Sequence, residues 1–82
     1  MTAEPPGAAL VDAAQKGDAA ARERLLEETY RRLFRYLLRL CRGDREQAEE
    51  LVHESMVRVI RTFQGLRDAG SWVPWSLKIA SN

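Results

Sequence analysis

Apolar residues recur at helical spacing along most of the chain. Leu26, Tyr30, Leu33, Leu37 and Leu40 alternate steps of four and three, and Phe34, Leu38 and Cys41 widen the stripe. This is the pattern by which a helix turns one face toward a core. A second stripe follows in Ala48, Val52, Met56, Val59 and Phe63, flanked by Leu51 and Ile60. Two amphipathic helices of this kind pack stripe to stripe, and that seam is the expected core. No segment alternates with the period of two that a strand requires, and no internal repeat or low-complexity tract is present. The expected fold is all-α, a compact bundle of three principal helices plus a short N-terminal helix.

The punctuation between stripes sets the boundaries. Residues 1–7 hold two prolines and a glycine with little to bury, and read as a flexible leader ahead of one helical domain over 8–82. A short helix from Ala8 to Gln15 stops at Lys16-Gly17. Asp18 is the expected N-cap of the long second helix, which runs to about Arg42. Gly43 serves as the C′ residue, and Asp44 with Gln47 has the spacing of a capping box for the third helix. So short a connection makes the two long helices antiparallel neighbours. Gln64 to Gly70 breaks the periodicity. Ser71 then caps a fourth helix carrying Trp72, Trp75, Leu77, Ile79 and Ala80, with Pro74 in its first turn, where a missing N–H costs little.

Length and charge narrow the function. Eighty-two residues make one small domain of modest stability. Thirteen basic against twelve acidic residues leave +1 overall, but the charges are segregated. Between Asp44 and Met56, Asp44, Glu46, Glu49, Glu50 and Glu54 outweigh Arg45 by four; beyond it, Arg58, Arg61, Arg67 and Lys78 outweigh Asp68 by three. One region is acidic and the next basic, an arrangement suited to binding. Cys41 is the sole cysteine, so neither an intrachain disulfide nor a cysteine-based zinc site can form, which fits a reducing cytoplasm. No secretory signal is seen, and no apolar run approaches the roughly 20 residues that span a bilayer; a soluble, cytoplasmic chain without membrane insertion is expected.

Glu46, Glu50 and Glu54 repeat every fourth residue, with Glu49 and His53 beside them. Such a stripe docks a basic partner helix, or is simply a solvated face. Glu50 and His53 have the Glu-x-x-His spacing of di-iron bundles, but one chain has a single histidine and no second motif. The arginines at 22, 24, 31, 32, 35, 39 and 42 suit phosphate contacts or pairing with Glu27 and Glu28. Trp75 suits the core, whereas Trp72 has two readings, core or base stacking. Lys78, Ser81 and Asn82 share the polar side of the fourth helix, with a cation for phosphate and an amide able to read a base edge. The loop from Gln64 to Gly70, with Arg67 and Asp68, has two readings, a flexible wrap for a flipped base or a plain surface loop. Neither a Gly-rich phosphate loop nor a nucleophile-base constellation occurs, so the chain is not expected to be an enzyme or to need a cofactor.

Taken together, AEELVHESMVRVIRTFQGLRDAGSWVPWSLKIASN, preceded by LVDAAQKGDAAARERLLEETYRRLFRYLLRL, resembles region 2 of the extracytoplasmic-function sigma factors of the sigma-70 class, over about residues 10 to 82. The resemblance implies that the third helix docks on the clamp helices of the largest subunit of core RNA polymerase. Glu50, His53 and Glu54 stand at the family's docking positions, and Glu46 and Glu49 extend the same face. It further implies capture of an unpaired base of the non-template strand of the minus-ten promoter element. The DNA-contact set is then Arg67, Asp68, Trp72, Lys78 and Asn82. The chain departs from the family at His53 for glutamine, at Met56 and Ile60 for two aromatics, at Ser76-Leu77 for Leu-Tyr, and at Ser81 for a basic residue. In the family a linker leads on to a C-terminal region 4 domain that reads the minus-thirty-five element, so this chain is expected to be one domain of a longer factor. An anti-sigma factor is the regulatory partner the resemblance implies. The rival reading is a helical protein-protein interaction module bound by a regulatory partner without DNA contact. A more remote one is an oligomeric metal enzyme using Glu50 and His53 from several chains.

Overall fold

Four helices appear in the computed structural model, which describes residues 8–63 and 72–81: α1 (Ala8–Gln15), α2 (Ala19–Leu40), α3 (Arg45–Thr62) and α4 (Trp72–Ser81). Three principal helices and a short N-terminal one make an all-α bundle, as the periodicity predicts. Asp18 and Asp44 cap α2 and α3 by accepting from the amides of Ala21 (3.1 Å) and Gln47 (3.2 Å). At Asp44 the capping box is only half made, because its own amide donates to the Cys41 carbonyl at 3.1 Å.

The ends of α1 and α2 are built alike. After α1, Asp18 N donates to Ala13 O and Gly17 N to Ala14 O; after α2, Gly43 N donates to Leu38 O and Arg42 N to Arg39 O. Both pairs are the hydrogen bonds of a Schellman motif, which needs a left-handed residue at C′. Gly17 fills that position with φ +98°, whereas after α2 it is Arg42, at φ +54°, with Gly43 one residue later at +87°. The expectation that Gly43 is the C′ residue is therefore corrected: α2 ends two residues earlier than expected, and an arginine takes the strained backbone.

Cross-helix contacts fix the directions. Tyr30 meets His53 (ring centroids 6.0 Å) and Phe34 meets Arg45 (5.7 Å), so as α2 advances α3 recedes, and the two are antiparallel. Thr29 contacts Trp72 and Tyr36 contacts Ser81, so α4 runs along α2 in the same direction. The end of α1 is tied to the end of α3 by Gln15 Nε2 donating to the Phe63 carbonyl at 3.3 Å.

The core consists of Val11 and Ala14 from α1, Ala21, Leu25, Leu33 and Leu37 from α2, Ala48, Val52 and Val59 from α3, then Phe63 and Trp72. Burying each large side chain contributes about 1.5–3 kcal/mol. On α2 the buried line is Ala21, Leu25, Thr29, Leu33 and Leu37; Leu26 and Tyr30 are half-buried and Leu40 is 59 % exposed. On α3, Ser55 is buried where Met56 was expected, and Met56 is half-buried. Both shifts have one cause. A hydroxyl on the core side satisfies itself on the preceding turn, Thr29 on the Leu25 carbonyl (2.7 Å) and Ser55 on that of Leu51 (2.8 Å), so a polar residue can hold a buried position.

Candidate functional site

The side of α3 turned away from the core carries Glu46, Glu49, Glu50, His53 and Glu54, and all five are exposed. Helical geometry explains this. The buried residues Ala48, Val52, Ser55 and Val59 occupy one side, and positions 46, 50, 53 and 54 fall opposite them. Among the described residues none of these four glutamates is in an ion pair. On α2 the situation differs: Arg31 holds Glu27 at 2.6 Å and Arg24 holds Glu28 at 3.6 Å. On α2, Glu27 and Glu28 are answered within their own helix, whereas the glutamates of the α3 stripe are in no ion pair among the described residues.

Beyond the stripe the same side of α3 turns apolar, with Val57 48 % and Ile60 45 % exposed. At its inner margin the His53 ring lies against Tyr30, Tyr30 stacks parallel on Phe34 (6.3 Å), and the Arg45 guanidinium covers Phe34. These contacts seat the stripe on a rigid aromatic edge of α2. Composition did not reveal Val57 and Ile60 as surface residues. Ile60 reads as a flank of the apolar seam, and only the burial of Val59 and Phe63 beside it turns it outward.

The DNA-contact candidates fare unevenly. Lys78 is exposed on α4, on the side shared with Pro74 and Ser81. Arg67, Asp68 and Asn82 lie outside the described residues, as do the loop from Gln64 to Gly70 and the expected cap Ser71. Trp72 is corrected: it is 0 % exposed, with its ring 5.4 Å edge-on from Phe63 and its Nε1 donating to Thr29 Oγ1 at 2.9 Å. It therefore presents no surface to a base. Of its two readings the core one holds for Trp72, and Trp75, expected in the core, is half-buried and packs on it at a tilt, with ring centroids 5.0 Å apart. Ser81 is engaged as well, its hydroxyl 2.6 Å from Tyr36 Oη and 2.8 Å from the Leu77 carbonyl.

No set of three or more His, Cys, Asp or Glu among the described residues is placed to hold a metal ion. No described helix is long and apolar enough to cross a membrane. The arrangement offers two chemistries, an exposed carboxylate face on α3 outside any ion pair among the described residues and a cationic, aromatic-backed surface on α2 and α4. The first suits a basic protein helix and the second an anionic polymer.

Comparison with known proteins gives one match. The family model described as Sigma-70 region 2 covers residues 25–82, from the second turn of α2 through α4. Neither the curated proteins nor the solved structures contain a match to this chain.

Proposed function

Since the chain belongs to the sigma-70 region 2 family, we propose that it is the polymerase-docking and minus-ten-recognising domain of an alternative sigma factor of the extracytoplasmic-function type, acting in the cytoplasm. The observation that carries this reading is the unanswered carboxylate stripe of α3. A face with four exposed glutamates, none of them in an ion pair among the described residues, is complementary to a basic helix, and the clamp helices of core RNA polymerase are the partner proposed for it. Val57 and Ile60 continue that face with the apolar surface that gives a steered encounter its residence time.

On the same reading, Lys78 neutralises a phosphate of the non-template strand, Arg67 and Asp68 border the captured base, and Asn82 reads a base edge. Trp72 acts one step removed, by anchoring the start of α4 to α2 so that Lys78 is held in place. An anti-sigma protein that covers the α3 face is the expected inhibitor, because polymerase and inhibitor then compete for one surface.

The test is retention of a labelled minus-ten non-template strand by core polymerase mixed with this chain. Retention above that of polymerase alone, and lost on addition of excess Lys78→Ala/Asn82→Ala chain in place of wild type, is the expected result. Retention no greater than with polymerase alone contradicts the proposal.

A further inference from the structure

The outer side of α2 carries an open cavity of about 540 Å³ lined, among the described residues, by Glu28, Tyr30, Arg31, Arg32, Phe34 and Arg35. None of these is a residue the family resemblance assigns to DNA. Arg32 is the unusual member. Its Nη1 is buried and has no hydrogen-bond partner. A guanidinium nitrogen withdrawn from water without an acceptor is costly, and such orphans in folded proteins call for an explanation. Among the described residues no carboxylate is in ion-pair range of Arg32 or Arg35. Glu28, the one acid lining the cavity, is engaged by Arg24, and Arg31 is held by Glu27 at the rim. Among the described residues the cavity thus has two guanidinium groups outside any ion pair, a third at its edge, and two half-buried rings as a wall.

Position adds to the chemistry. Arg32 lies on α2 between Thr29 and Tyr36, the two residues that contact the beginning and the end of α4. Arg32 therefore flanks the helix that bears Lys78, while the Tyr30–Phe34 wall lies on the side of α3. We infer that this cavity is a backbone-phosphate subsite for single-stranded nucleic acid, in which Arg32 and Arg35 take a phosphate and the Tyr30–Phe34 wall lies along the adjoining sugar and base. Guanidinium suits this because its planar fork meets phosphate oxygens bidentately, and the rings accept any base, so the subsite adds affinity without sequence preference. The inference rests on the DNA-binding part of the proposed function, extending the strand's path from α4 to α2.

The experiment is the salt dependence of oligo-dT and minus-ten single-strand binding to the 82-residue chain, measured by anisotropy for wild type, Arg35→Gln, Arg32→Gln/Arg35→Gln and Lys78→Ala. Each phosphate contact contributes about 0.7 to the slope of log affinity against log salt for a single strand. The expected result is a slope lower by about 0.7 in the double variant, where the one phosphate is no longer neutralised, and between that and wild type in the single variant, with oligo-dT and minus-ten strands affected equally. Because Arg35 is exposed, Arg35→Gln leaves the fold intact and keeps the test valid should Arg32→Gln unfold the chain. Unchanged slopes in the arginine variants with a reduced slope in Lys78→Ala overturn the subsite and leave the α4 assignment standing. Absence of strand binding by wild type overturns both.

Discussion

Trp72 Nε1 donates to Thr29 Oγ1 at 2.9 Å, and the same hydroxyl donates to the Leu25 carbonyl at 2.7 Å. All of these groups are buried, so the threonine is a relay between an indole on α4 and the backbone of α2. Among the described residues it is the one polar tie that reaches across the core to the start of the helix bearing Lys78.

Replacing Thr29 with valine keeps the shape and strands the indole N–H, which costs about 1–3 kcal/mol. Thr29→Ser keeps the hydroxyl and loses one methyl, a cost of about 0.8 kcal/mol. Urea unfolding of the two variants checks the relay: valine is expected to be the less stable. A valine variant as stable as wild type would show that the hydrogen bond contributes nothing. Trp72→Ala removes the largest buried side chain and is expected to cost about 3–5 kcal/mol, enough to unfold a domain this small.

The two Schellman ends respond to substitution in opposite directions. Arg42 sits at φ +54°, where a Cβ is disfavoured by about 1 kcal/mol, so Arg42→Gly is expected to raise stability. Gly17→Ala is expected to lower it by about 1 kcal/mol, although nothing lies within 4 Å of the added Cβ, because the strain is in the backbone at φ +98°. Thermal melts of both variants check this pair.

Loss of a cap is more costly than loss of an exposed ion pair. Asp18→Ala and Asp44→Ala are each expected to cost about 0.5–2 kcal/mol. Glu27→Gln, which breaks an exposed pair with Arg31, is expected to cost about 0.5 kcal/mol or less. A denaturant midpoint lower for Glu27→Gln than for the cap variants would contradict the description of the helix termini.

Much of the fold was legible because it is written in local signals. Asp18 and Asp44 mark helix starts, Gly17 marks an end, and the two stripes give the seam between α2 and α3. The boundaries of burial were less legible, since Thr29 and Ser55 are core residues that no apolar count selects; their hydroxyls are satisfied within the helix, which sequence patterning does not reveal. The same gap explains why Trp72 rather than Trp75 is the fully buried indole, because the one whose nitrogen finds Thr29 can be buried fully. At the site, the exposure of Glu46, Glu49, Glu50, His53 and Glu54 follows from helical period alone. The outward turn of Val57 and Ile60 and the orphaned nitrogen of Arg32 emerge only from packing.

The central claim is that α3 is a docking face for core RNA polymerase. It is tested most directly by fluorescence anisotropy of the labelled chain titrated with core polymerase, for wild type and for Glu50→Lys/Glu54→Lys, with circular dichroism confirming equal helix content. The prediction is saturable binding by wild type, weakened at least roughly a hundredfold in the variant, since like charges brought face to face cost several kcal/mol. Equal affinity of the two proteins for polymerase would contradict it.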